Sequence, residues 1–306
     1  MAPSEISTSY PDSRYLIARG YGNSKTSAQF RAKSELANIF ESKINSELKL
    51  ETRAVSDSIK GEYSTETIDS FINIYSHVTL KGVQVKDIKS DEGQYTALAI
   101  LDKIQAQDNW LNEIFILDQK IDTEFQTIQK QKSKLHWIKH VQTIWHCWLE
   151  RTSIVSRLSV IGSKTPAEKI RLKNILELIA IIKNNIKLFI SISGNYGKII
   201  SDNIAKTLNN EGFVISDNLQ KADVFISGHL SVEPLEMINE EWKFSRASVS
   251  LHIIDCATNN QVYNITENIR RGHLTTKESI HKSINAISII VQKRLLSMFD
   301  PLKDNK

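Results

Sequence analysis

The sequence predicts an α+β protein, with two small α/β sandwich domains separated by a long helical hairpin. Three observations carry this. A strand, an amphipathic helix and a β-hairpin follow one another in the first third of the chain. No Gly or Pro occurs from Lys103 to Ile161. From Ile186 onward the pattern reads β-α-β-β-β-β-α. The boundaries expected are a disordered lead over 1–13, an α+β domain over 14–102, a helical segment over 103–185 and an α/β domain over 186–300.

The elements follow from local chemistry. Tyr15 to Arg19 reads as a short strand ending at Gly20-Tyr21-Gly22-Asn23-Ser24, where the glycines allow positive φ and Asn23 or Ser24 caps a helix. That helix runs to about Leu48, with Ala28, Ala32, Leu36, Ile39, Phe40 and Ile44 on one face. Its small alanines let it sit close against a sheet. Residues 49–75 read as a third strand and a short helix. His77 to Ile88 and Tyr95 to Leu101, separated by Asp91-Glu92-Gly93, form a hairpin.

Ile114, Ile121, Ile128 and Leu135 recur at intervals of seven, and a second seam runs through Ile138, Val141, Trp145, Trp148 and Val155. The polar stretch Gln129 to Lys134 between them reads as the turn of a hairpin, with a phase slip in one long helix as the alternative. Gly162 breaks the pattern. Thr165-Pro166-Ala167-Glu168 reads as a capping box opening a helix that runs to about Asn184.

In the last domain, Lys187 to Ser193 is a strand, and Ile199 to Asn210 a helix stopped by Gly212. Phe213 to Ser216, Val224 to Val232, Lys243 to Asp255 and Gln261 to Ile269 are strands. Glu233, Glu236, Glu240 and Glu241 around Pro234 read as a solvated loop. Thr275 and Glu278 cap a final helix whose stripe is Ile280, Ile284, Ile287, Val291, Leu295 and Met298.

Composition narrows the function. With 41% hydrophobic and 24% charged residues, the chain can bury a sizeable core. Its net charge of +4 is dispersed, which argues against nucleic acid. No apolar run approaches the length of a membrane-spanning helix. The start, Met1 to Glu5, does not read as a secretion signal, so the expectation is a cytosolic protein or a chain whose leader lies outside this sequence. Cys147 and Cys256 fall in different predicted regions, and whether they pair is open.

Candidate chemistry is sparse. Arg19 to Thr26 sits where a phosphate loop would, but Arg19 and Ser24 occupy the places that need glycine, so the segment reads as a capped turn. His136, His140 and Cys147 share a helix face. Two histidines at that spacing suit zinc, and a Cys–His pair suits a nucleophile and base. Neither a fourth ligand nor an orienting third group accompanies them, so a packed or surface face is the reading taken. No catalytic, cofactor-binding or metal site is assigned, and no cofactor is expected. Trp137, Trp145, Trp148 and Arg151 form the candidate partner-binding set, an aromatic and cationic face of the kind found in interface cores. Packing inside the hairpin is the alternative.

Two regions resemble known families. Tyr15-Leu16-Ile17-Ala18-Arg19-Gly20-Tyr21-Gly22, the Ala-bearing helix after it and the strands around Val83 to Leu101 resemble the LPP-twenty lipoprotein domain of bacterial envelopes. That domain also occurs in flagellar assembly proteins, including assembly protein T. Lys221-Ala222-Asp223-Val224-Phe225-Ile226-Ser227-Gly228, with Val249 to Asp255 and Gln261-Val262-Tyr263, is similar to TolB amino-terminal and CsgG-type envelope domains over about residues 186–299. The resemblances imply a non-enzymatic periplasmic or outer-membrane-associated protein that docks onto or assembles a larger complex, with a cytosolic location as the alternative. Protein partners in the envelope are expected, with a membrane surface and self-association as further options, and no nucleic acid. A membrane-surface or effector protein acting through the Trp-bearing helices is the alternative function. A hydrolase or metal enzyme built on His136, His140 and Cys147 is the third.

Overall fold

The computed structural model describes residues 9–56, 81–91, 93–236 and 241–300, and its architecture is the α+β class expected. The chain divides into two compact units, one formed by 1–123 with 146–172, the other by 124–145 with 173–306. The helical segment is thus shared between the units instead of standing alone. The third strand and short helix expected over 49–75 fall partly on the long first helix and otherwise outside the described residues, as do 77–80 of the hairpin.

In the first unit, β1 (Tyr15–Gly22), β2 (Gln84–Asp91) and β3 (Gln94–Asp102) form an antiparallel sheet in the order β1-β3-β2. Helix α1 (Lys25–Ser56) packs on it. The Ser24 hydroxyl accepts from the Ser27 N–H at 3.2 Å and caps this helix, as its sequence suggests. Gly20 and Gly22 are needed for room and not for positive φ. A Cβ on Gly20 would lie 2.1 Å from the Ala32 nitrogen and 2.3 Å from the Ala28 carbonyl oxygen. Ala28, Ala32, Leu36, Phe40 and Ile44 are all fully buried, while Ile39 is 42% exposed. Residues 11–15, partly inside the expected disordered lead, form a turn in which the Pro11 carbonyl accepts from the Arg14 and Tyr15 N–H groups.

Helix α2 (Lys103–Lys130) and helix α3 (Lys134–Val160) are separate, with the break where the polar stretch predicted a turn. The heptad seam Ile114, Ile121, Ile128 and Leu135 is buried throughout. Asp102 caps α2 by accepting from the Ile104 and Gln105 N–H groups, and it pairs with Arg14 at 3.0 Å. Helix α3 stops at Gly162 (φ +72°), whose following Ser163 N–H donates back to the Leu158 carbonyl.

The capping box expected at Thr165 is not used. Helix α4 (Leu172–Asn185) starts later, and 163–168 runs without regular structure. The Ala167 carbonyl accepts from Arg151, and the Glu168 carboxylate accepts from the Trp148 indole N–H. Groups the box would have turned back on its own helix are committed to buried side chains of α3.

The second unit contains β4 (Lys187–Ser193), α5 (Gly197–Asn210), β5 (Val214–Ile215), β6 (Val224–Leu235), β7 (Lys243–Asp255), β8 (Asn260–His273) and α6 (Thr276–Phe299). This is the predicted order. The five-stranded sheet runs β5-β4-β6-β7-β8, with β4 parallel to β5 and β6 and the remaining pairs antiparallel. Glu233 and Pro234 lie inside β6, not in a loop, and Glu240 falls outside the described residues. Pro234 is tolerated because β4 pairs with β6 only as far as His229, so no partner on that side needs its missing N–H.

Helices α5 and α6 pack on the sheet and on each other. One set of alternate residues, Val224, Ile226, Leu230, Ala247, Val249, Leu251 and Ile253, is buried. The other set, including Phe225, Ser227, Ser248, Ser250, His252 and Ile254, is half-exposed. The α5–α6 seam is partly polar. Ser288 accepts from Asn203 at 3.3 Å and from Gln292 at 2.8 Å, and Thr207 donates to Gln292 at 3.1 Å. Lys183 of α4 pairs with Asp300 at 2.9 Å, both side chains being buried.

Two outcomes test this packing. Gly20→Ala should cost about 3 kcal/mol in denaturant unfolding, because backbone atoms of α1 cannot yield to an added methyl. Burial pushes the Asp102 carboxyl up, but Arg14 and the two cap N–H groups hold it, on balance, below its ordinary 3.8. A carboxyl lowered on folding stabilises above its ordinary range and loses that contribution as pH falls through its folded value. Asp102→Asn should therefore melt earlier than the parent at neutral pH, and the gap should close in acid below the ordinary carboxylate range.

Candidate functional site

The residues singled out from the sequence are dispersed. Trp148 and Arg151 lie in the first unit, at 0% and 4% exposure. The Arg151 guanidinium clasps Asp118, with Nε to Oδ1 at 2.6 Å, and also donates to the Ala167 carbonyl at 3.0 Å. Beside them Lys169 pairs with Asp122 at 2.9 Å. Trp145 is buried in the second unit. Trp137 is half-buried, its indole N–H donating to the Gln131 carbonyl across the helix break. An exposed aromatic face is therefore not formed by these side chains. Trp145 and Trp148 are buried, and Arg151 is paired where it is buried.

The His–Cys face is likewise used locally. His140 pairs with Glu124, and Cys147 is buried. Both cysteines are free thiols. Among the described residues no group of three metal-capable side chains comes together.

The sequence missed a groove of about 550 Å³ in the second unit, lined by Leu219, Asp223, Phe225, Ile254, Cys256 and Asn259 among others. Strand ends and tight turns build it. Asn218 caps a short 3-10 turn by accepting from the Gln220 N–H, which leaves Leu219 42% exposed at the rim. Asp223 accepts from the Lys187 N–H at 2.9 Å and from the Lys134 ammonium at 3.0 Å. Asp255, 1% exposed, accepts from the Ala257 N–H and the Thr258 hydroxyl and so folds the next turn. Phe225 packs against Phe189 with ring centroids 5.6 Å apart.

Ser133, His136 and Asp255 meet nearby, and their geometry decides what they can do. His136 Nδ1 lies 2.8 Å from the Ser133 hydroxyl and 3.8 Å from Asp255. A serine–histidine–aspartate relay needs the two partners on different ring nitrogens. Here both face the same one, and the Ser133 hydroxyl also faces the His136 N–H as a helix cap. Burial pushes the Cys256 thiol up, and the charges of Asp255 and Asp223 push it further. A thiol held protonated is a weak nucleophile. The groove is therefore suited to binding.

No family model matches the chain, and no curated protein matches it. Solved structures do. A secreted protein of Helicobacter pylori, HP1454, is 12% identical, with a TM-score of 0.46, covering 92% of this chain and 98% of that one. A minor lipoprotein of Acinetobacter baumannii is 13% identical, with a TM-score of 0.25, over 38% of this chain and 84% of its own. A PelC dodecamer subunit from Paraburkholderia phytofirmans is 16% identical, with a TM-score of 0.27, over 37% and 86%.

The packing of α3 is directly testable. Arg151→Ala leaves Asp118 without its partner and should cost about 3–5 kcal/mol of unfolding free energy. Trp148→Ala should cost a similar amount. Trp137→Ala, at a half-buried position, should cost clearly less in the same urea titration.

Proposed function

We propose that this chain is a non-enzymatic protein of the bacterial cell envelope that docks onto or helps assemble a larger complex. Flagellar basal-body assembly is the particular setting proposed. The carrying observation is the asymmetry of the five-stranded sheet. One set of its alternate side chains is buried, with α5 and α6 packed on the sheet. The other set presents half-exposed Phe189, Phe225 and Ile254 beside a groove. Partly exposed aromatic and aliphatic side chains rimmed by Ser, Asp and Asn are the makings of a protein-contact surface. The raised Cys256 thiol and the one-sided His136 contacts favour binding over catalysis. The resemblance of the first strand and helix to a lipoprotein domain agrees with an envelope setting. The alternative, a membrane surface made by the Trp-bearing helices, loses its basis because Trp145 and Trp148 are buried.

Cross-linked capture from an envelope extract, using the full chain as bait, tests the reading. Phe225→Ser combined with Ile254→Ser should cut capture at least tenfold while the circular dichroism spectrum is unchanged. Capture that survives in a folded double variant refutes docking through this face.

A further inference from the structure

We propose that the open end of the β7–β8 ladder is an anchor for an anionic phospholipid surface. This goes beyond the docking reading and does not depend on it. Lys243 of β7 lies opposite His273 of β8 as the last pair of the ladder. Trp242 and Leu274, one residue beyond that pair on each strand, are 44% and 63% exposed. Cations surround them. Arg246 and Arg270 face each other in register, and Arg271, Lys277 and Lys282 are exposed close by.

Like charges directly opposite in an antiparallel pair are unfavourable in isolation. Here the arrangement is held by other contacts. The Arg270 guanidinium lies 5.5 Å from the Phe244 ring centroid, and that ring occupies the space over Gly272 that a side chain would need. Arg246 lies 3.6 Å from Glu233. Among the described residues the nearby acids are Glu233, Glu236, Glu241 and Glu278, the last in the first turn of α6 behind the Thr275 cap. Cations outnumber them among the described residues at this end.

A bilayer interface fits this chemistry. An indole with a polar N–H settles at headgroup depth, an exposed leucine enters the acyl boundary, and Lys or Arg beside them meet lipid phosphates. The anchors sit directly beyond the last pair of a paired ladder, which limits the ordering lost on binding. The exposed Phe115 and Ile116 of α2 lack this setting, since Glu113 and Asp118 lie beside them in sequence.

Flotation of the full chain with phosphatidylcholine vesicles, with and without phosphatidylglycerol, tests the proposal. The parent should float with the anionic vesicles only, and less as salt shortens the screening length. Lys243→Gln, Arg271→Gln and Lys277→Gln together should lower partitioning roughly 150-fold at low salt, from about a fivefold loss per cation removed. Trp242→Ser with Leu274→Ser should lower it at least tenfold. Phe115→Ser with Ile116→Ser, a control on the first unit, should change nothing. The proposal is overturned if the parent stays in the soluble fraction, if neutral vesicles bind equally, or if the control loses as much as the tip variants. Absence of flotation would leave Trp242 and Leu274 as a protein contact.

Discussion

Arg151 is a guanidinium taken out of water at 4% exposure, and such a charge must be matched where it sits. Asp118 on α2 supplies the opposite charge, and the Ala167 carbonyl takes a remaining N–H. Three segments of the first unit are thereby tied to one side chain. The same constraint recurs in the second unit, where Lys183 and Asp300 pair out of solvent beside the Phe213 ring. Buried pairs of this kind add little net stability over apolar replacements, but breaking one is costly. They select one arrangement among those that apolar stripes alone would allow.

That constraint explains where the chain beginning at Ser163 departs from its local preference. Thr165-Pro166-Ala167-Glu168 has every feature of a helix start. A capping box contributes on the order of 1 kcal/mol. Leaving Arg151 and the Trp148 indole N–H unsatisfied inside the protein would cost more than that. The segment therefore stays out of helix, and helix α4 waits until Leu172.

Much of the architecture was legible because apolar periodicity and glycine stops act locally. The seam from Ile114 to Leu135, the glycine stops at Gly162 and Gly212 and the succession of elements along the second unit needed no long-range information. What was not legible depended on side chains whose role is set by distant partners. Ser245 and Ser283 carry no signal in the sequence that sets them apart from other serines. They are buried and bonded to each other at 2.7 Å, their small size letting α6 approach β7. Trp145 and Trp148 had the composition of an interface and became core. The groove at Phe225 and Cys256 is assembled from turns separated by more than thirty residues in sequence, so no contiguous motif announces it.

The second unit also separates its charges along the strands. Asp223 and Asp255 sit at one end of the β6–β7 ladder, engaged with Lys134 and with turn N–H groups. Lys243, Arg246, Arg270 and Arg271 gather toward the other. Strand β7 spans thirteen residues, so the two ends lie about 40 Å apart at the rise of an extended chain. The screening length at physiological salt is about 8 Å, several times shorter. Neither end feels the other's charge, and occupation of the groove would leave the potential at the basic end unaltered. A single rigid sheet can thus present a contact face near one end and a lipid-seeking tip at the other. Any coupling between them would have to travel through strand register, which the closely spaced β6–β7 and β7–β8 pairs hold fixed along most of their length.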